Sequence, residues 1–157
     1  MGRYRAPQPP KTPYITRQGY EALQAELKQL WVRRTDVTMH LKAAAAEGDR
    51  SENAEYIYRK KELREIDSRI RYLQKRLPDL KAVETGPDNP EQVFFGAFVE
   101  LENENGETFH YRIVGPDEID SSKGYISIDS PMAKALLKKH LDEEVMVETP
   151  NGPVSYD

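Results

Sequence analysis

Two series of apolar residues at helical spacing constrain this chain more than any other feature. The first runs Tyr20, Leu23, Leu27, Leu30, Val37, Leu41 and Ala44, with Arg34 at the one polar seam position. The second runs Leu63, Ile66, Ile70, Leu73 and Leu77, and extended backward at the same spacing it reaches Arg59 and Tyr56. Steps of three and four held over several heptads describe coiled-coil seams. Alone, they allow either parallel dimers or an intramolecular hairpin. The numbering decides: Ala44 with Tyr56, Leu41 with Arg59, Val37 with Leu63, Leu30 with Ile70, Leu27 with Leu73 and Leu23 with Leu77 all add to 100. That constant describes two antiparallel helices folded about residue 50. About 30 residues at roughly 1.5 Å each predict a rod of about 45 Å. Thr16 is placed to cap the first helix and Gly48 to end it; Asp49 or Ser51 can cap the second. Pro78 should end or kink the second helix near Leu77, because proline removes an interior hydrogen bond.

Charge separates the two halves. The 157 residues carry a formal charge of −4, but residues 1–85 hold 18 Lys and Arg against 12 Asp and Glu, and residues 86–157 hold 5 against 15. The basic half could face nucleic acid, which the acidic half should avoid. Met1 to Pro13 carries Arg3, Arg5, Lys11 and four prolines, and reads as a basic arm rather than a secretory signal. No apolar run approaches the roughly eighteen residues of a membrane span, so no membrane partner is expected. The absence of cysteine excludes disulfides and thiolate metal sites and is compatible with a reducing cytoplasm.

Residues 14–85 are therefore expected to form the hairpin, 86–92 a linker with Gly86, Pro87 and Pro90, and 93–157 a small β domain with one helix. Strands are predicted over Val93–Leu101, Thr108–Val114 and Tyr125–Ile128, with a turn at Asn105-Gly106. Ser130-Pro131 should start a helix through about Lys139. A further strand begins at Val145–Val147, and Asn151-Gly152 turns the chain so that Val154–Tyr156 can pair back. No phosphate loop, nucleophile elbow or histidine cluster occurs in this half.

The chemistry-bearing stretch is the hairpin tip, residues 47–55, with Asp49, Glu52 and Glu55. Spacing allows two readings. Acidic residues favour helix N-termini through the dipole. Carboxylates at an exposed tip can also hold Mg²⁺ loosely, an ion wanting about six oxygen ligands, so two carboxylates make an incomplete site. Lys60, Arg64, Arg71 and Lys75 recur along one side of the second helix, either as a solvated face or as a phosphate-binding stripe.

The run Gly48-Asp49-Arg50-Ser51-Glu52-Asn53-Ala54-Glu55-Tyr56 resembles the tip motif of Gre transcript cleavage factors. Val93-Phe94-Phe95-Gly96-Ala97, Tyr111-Arg112-Ile113-Val114-Gly115 and Ile128-Asp129-Ser130-Pro131-Met132-Ala133 resemble further segments of that family, and the Arg-Ser of the tip points toward its GreB branch. The resemblance spans about residues 12–157. It implies an α+β fold, a coiled-coil hairpin followed by an FKBP-like β domain. It also implies a transcription elongation factor, probing bacterial RNA polymerase through its secondary channel as a monomer. There the acids matching Asp49 and Glu52 help place a second Mg²⁺ and the attacking water for cleavage of backtracked RNA, with no organic cofactor. By the same resemblance, Lys60, Arg64, Arg71 and Lys75 contact the nascent RNA near its 3′ end, and Asp129, Ser130 and Pro131 dock on the polymerase. The chain would then be a cofactor of the polymerase's own hydrolysis and not an enzyme.

Two departures from the family pattern stand out: Pro78 in the second helix, and a chain that stops at Asp157 before an expected final strand, which would leave a β edge open. Two other functions compete. A channel-binding regulator that does not stimulate cleavage keeps the fold but leaves the Asp49 and Glu52 pair without use. A coiled-coil scaffold or chaperone leaves both the tip and the basic stripe unexplained.

Overall fold

The computed structural model describes residues 11–47, 53–84, 91–149 and 152–156. The chain divides into two compact units, one formed by 20–80 and the other by 1–19 with 81–157.

In the first unit, helix α1 (Arg17–Ala45) and helix α2 (Ala54–Arg76) pack along the predicted seam. Val37, Ile66 and Ile70 are buried there, with Leu27, Leu30 and Leu63 against them. Leu23, Ala44 and Leu73 are buried too. Ion pairs cross between the helices at Arg33–Glu62 (2.8 Å), Arg34–Asp67 (2.6 Å) and Arg69–Glu26 (2.7 Å). In each pair the partners lie at comparable distances before and after position 50, as an antiparallel hairpin requires. Arg34, the polar seam residue, is satisfied by Asp67. Pro78 acts as expected: α2 ends at Arg76, and Leu77–Asp79 continues as a short 3₁₀ turn.

The flanks of the expected 14–85 hairpin are strands. Strand β1 (Tyr14–Thr16) precedes α1, and strand β2 (Lys81–Val83) follows the 3₁₀ turn. They pair in parallel, Tyr14 with Lys81, Ile15 with Ala82 and Thr16 with Val83. Ile15 and Thr16 are fully buried. Glu118 fixes this junction: its carboxylate accepts from the Thr16 backbone N–H (2.9 Å), the Thr16 hydroxyl and the Gly115 N–H (2.8 Å). Thr16 Oγ1 in turn accepts from the Gly19 N–H at 3.0 Å, the predicted N-cap. Gly115 has no room for a side chain, since a Cβ there would lie 2.0 Å from the Tyr14 carbonyl oxygen.

The rest of the second unit is a three-stranded sheet of β3 (Phe98–Glu102), β4 (Thr108–Val114) and β5 (Tyr125–Ser127), in that order. Strands β3 and β4 are antiparallel, and β4 and β5 parallel. A short helix α3 (Pro131–Leu136) follows, then a hairpin of β6 (Val145–Thr149) and β7 (Gly152–Tyr156). The core gathers Leu101, Ile113, Ala133, Leu136, Val145 and Val147. The strand expected from Val93 begins only at Phe98. Gly96 has φ +86°, and the Ala97 N–H donates to the Phe94 carbonyl at 3.0 Å, so the chain turns first. The helix expected to reach Lys139 stops at Leu136, because Lys138 takes a left-handed φ of 68° and donates its N–H to the Val93 carbonyl. Residues 86–90 of the predicted linker lie outside the described residues.

Candidate functional site

Asp49 and Glu52 lie outside the described residues, but both approaches to them are defined. The Ala46 N–H donates to the Lys42 carbonyl and the Glu47 N–H to the Ala44 carbonyl, each at 3.2 Å, as α1 closes. Across the gap, the Asn53 Oδ1 accepts from the Tyr56 N–H at 3.1 Å and caps α2. Its Nδ2 donates to the Ala44 carbonyl at 2.7 Å. One side chain therefore starts the second helix and ties it to the end of the first. The cap expected at Asp49 or Ser51 is supplied by Asn53.

Behind the tip, the charged side chains of α2 fall into two groups. Arg59 donates to Glu55 and Glu62 (both 3.0 Å), and Glu62 also accepts from Arg33 of α1. Hydrogen bonding to Glu55, then Glu62, raises the Arg59 guanidinium above its ordinary pKa. The hydrogen bond from Arg33 holds the Glu62 carboxyl below the usual range, partly opposed by desolvation. These residues lock the helices together. Lys60, Arg64, Arg71 and Lys75 are all exposed, and among the described residues none forms an ion pair with a carboxylate. Lys60 lies over the Tyr56 ring, 5.7 Å from its centre. Tyr56 is thus half-buried packing, while Tyr58 is exposed. Lys61 is likewise exposed and in no ion pair among the described residues, so α2 carries exposed cations on more than the stripe, beside the arginines already used in holding the hairpin.

In the other unit, Ser130 caps α3 by accepting from the Ala133 N–H at 3.1 Å. Asp129 faces inward: its carboxylate accepts from the Thr12 N–H (3.1 Å) and the Thr12 hydroxyl, and its own N–H donates to Ser127 Oγ. Pro131 is exposed at the first position of the helix. The triplet therefore forms a braced corner, with Asp129 and Ser130 giving it rigidity and Pro131 on its outer side. Among the described residues no group of three His, Cys, Asp or Glu side chains could hold a metal, and no helix is long and apolar enough to cross a membrane.

Family models for the N-terminal domain of the transcription elongation factors GreA/GreB match residues 13–81, and for their C-terminal domain residues 87–157. The chain belongs to the GreA/GreB family of transcription elongation factors. Transcription elongation factor GreB of Pseudomonas aeruginosa is 60% identical over 153 residues, covering 97% of this chain and 91% of that protein. GreB of Haemophilus influenzae is 61% identical over 143 residues, covering 90% of each. The solved structure of Thermus aquaticus Gfh1 is 28% identical and covers 94% of this chain and 96% of that one, with a TM-score of 0.45.

Sequence reasoning missed two residues that brace the hairpin and its junction in this Gre-family chain. Asn53 carried a signal, since asparagine is among the best N-caps and stands directly before Ala54. Glu118 carried none: its three donors come from Thr16 and Gly115, and the contact with Thr16 spans 102 positions.

Proposed function

We propose that this chain stimulates RNA polymerase to cleave the 3′ end of its own backtracked transcript. The hairpin enters the secondary channel of the polymerase, and the acidic tip reaches the catalytic centre. Asp49 and Glu52 would hold a Mg²⁺ jointly with the polymerase. Their oxygen donors suit that hard ion but fill too few of its roughly six positions to hold it alone. When bound, such an ion stabilises charge on the entering and leaving oxygens of phosphodiester hydrolysis. Lys60, Arg64, Arg71 and Lys75 hold the RNA through its phosphates, with little sequence preference and strong salt dependence. Asp129, Ser130 and Pro131 form the docking corner on the polymerase.

The observation that carries this reading is the division of cations on α2. Arg59 and Arg69 are committed to carboxylates of the hairpin, whereas the four stripe residues are exposed and unpaired among the described residues.

The test adds the purified chain and Mg²⁺ to stalled, backtracked elongation complexes and follows RNA length. Shortening from the 3′ end is the expected result, with none when the chain meets free RNA and Mg²⁺ without polymerase. Binding to the polymerase without shortening would reject cleavage stimulation. Robust hydrolysis by the chain alone would reject the cofactor role.

A further inference from the structure

The corner at Asp129, Ser130 and Pro131 is held by a residue from a distant part of the chain. The Asp129 carboxylate accepts from Thr12 twice: Oδ2 from its backbone N–H at 3.1 Å, and Oδ1 from its hydroxyl. The two residues lie 117 positions apart, and both are half-buried. Two charge-assisted bonds from one residue fix the plane of a carboxylate as well as its position. Thr12 is itself well anchored. The Pro13 carbonyl next to it accepts from the Lys81 N–H at 2.8 Å, and β1 then pairs with β2 from Tyr14 onward. Glu118 holds the far end of that strand at Thr16. On the other side, the Asp129 N–H donates to Ser127 Oγ at 3.0 Å and the Ser130 N–H to the Ser127 carbonyl at 2.9 Å, which sets the turn from β5 into α3. Pro131, next in the chain, is exposed.

We propose that Thr12 is a positioning residue for polymerase docking: its N–H and hydroxyl hold Asp129 so that Pro131 is presented in one fixed orientation on the outer side of the corner. The inference rests on the docking role proposed above for Asp129, Ser130 and Pro131, and adds to it a residue from the segment before α1. Asp129 acts through the shape of the corner, because each of its carboxylate oxygens is engaged inside the protein. The chemistry asks for a side-chain donor one carbon from the main chain, so that N–H and O–H converge on a single carboxylate. Threonine and serine supply that arrangement; valine has the shape of threonine and no donor. The segment before α1 thus shapes the docking site without touching the partner.

The test titrates the full chain and its variants into stalled, backtracked elongation complexes of a bacterial RNA polymerase, reading both binding and RNA cleavage. Thr12→Val removes the hydroxyl and keeps the side-chain shape. It should weaken binding about three- to tenfold, and the effect should fall on the half-saturating concentration rather than on the cleavage rate at saturation. Thr12→Ser should return binding to within about twofold of the natural chain. Asp129→Ala should weaken binding about tenfold, and adding Thr12→Val to it should cost nothing more, because the bond is already gone. Pro131→Glu changes the exposed side of the corner and leaves the Thr12 bonds in place; glutamate suits a first helical turn. It should weaken binding as well. Circular dichroism checks that each variant folds, and Thr12→Ala stands in if Thr12→Val does not. Unchanged binding by Pro131→Glu would reject the docking reading of this corner and the proposal with it. Weakened binding by Pro131→Glu with none by Thr12→Val would overturn the proposal alone. So would full additivity of Thr12→Val with Asp129→Ala, no recovery with Thr12→Ser, or a Thr12→Val variant that loses only unfolding free energy.

Discussion

At the scale of single residues, Asn53 joins local and tertiary structure most economically. Its Oδ1 satisfies an orphan N–H at the start of α2, and its Nδ2 satisfies a carbonyl at the end of α1. Asn53→Ala removes both bonds and should cost about 1–2 kcal/mol, read from chemical unfolding. Asn53→Asp separates the two roles. Aspartate is an equally good cap, but it cannot donate to the Ala44 carbonyl and sets a negative charge beside it. If capping were the whole role, this variant would match the natural chain; a loss of about 1 kcal/mol identifies the cross-hairpin bond. The sequence pattern identified a turn here but not which polar residue would cap it, because Asp49, Ser51 and Asn53 are all good N-caps. Choosing among them needs the distance between helix ends, which periodicity does not contain.

At the scale of elements, legibility followed periodicity. The seam of α1 and α2 could be read because a coiled coil repeats its apolar positions over many turns, and the buried residues Leu23, Val37, Ala44, Ile66, Ile70 and Leu73 all lie on it. Strands β1 and β2 could not, since each has three residues and pairs in parallel with a partner more than sixty positions away. The ion pairs that flank the seam also make the hairpin pH-sensitive. Glu62 binds Arg33 across the helices and Arg59 along α2, and its folded pKa lies below its ordinary value of 4.5. A depressed carboxyl stabilises the fold fully above its unfolded pKa, and that contribution is lost as pH falls through the folded pKa. Stability should therefore fall on acidification below about pH 4.5, and Glu62→Gln should flatten that part of the profile while lowering stability at neutral pH. Unfolding free energies measured from pH 3 to 7 check this; an unchanged slope in the variant would place the sensitivity elsewhere, with Asp120 and Glu143, also held below their ordinary values, as the groups to test. The basic stripe gives the opposite expectation. Replacing Lys60, Arg64, Arg71 and Lys75 together by Glu breaks no ion pair among the described residues, so helicity should survive. Cleavage of complexes with long backtracked transcripts should weaken, along with its salt dependence, while polymerase affinity changes less. A loss of affinity with an unchanged cleavage rate at saturation would reassign the stripe to docking.

At the scale of the whole molecule, the compact units soften the charge division read along the chain. Residues 20–80 carry 13 Lys and Arg against 11 Asp and Glu, while 1–19 with 81–157 carry 10 against 16. The basic N-terminal stretch belongs with the acidic unit, so the hairpin's cationic character comes from placement on α2 more than from excess. Under the proposed function, recognition of RNA would depend on a few positioned side chains, and stimulation of cleavage on fewer still. Asp49→Asn with Glu52→Gln should nearly abolish cleavage while leaving polymerase binding within a few-fold. These substitutions preserve shape and hydrogen-bonding capacity but remove the charge that would recruit Mg²⁺. The hairpin does not depend on either side chain for its cap, because Asn53 supplies it, and its ion pairs at Arg33, Arg34 and Arg69 remain. The proposed docking corner at Asp129 to Pro131 lies in the other unit. Loss of a metal that stabilises transition-state charge removes several kcal/mol, so a fall of roughly a hundredfold or more in rate is expected. A single substitution should be partly rescued by raised Mg²⁺, since a weakened site still fills by mass action. The decisive measurement is the cleavage rate at saturating factor, with polymerase binding followed separately. A double variant that binds and cleaves at nearly the natural rate would reduce these two carboxylates to neighbours of a helix end.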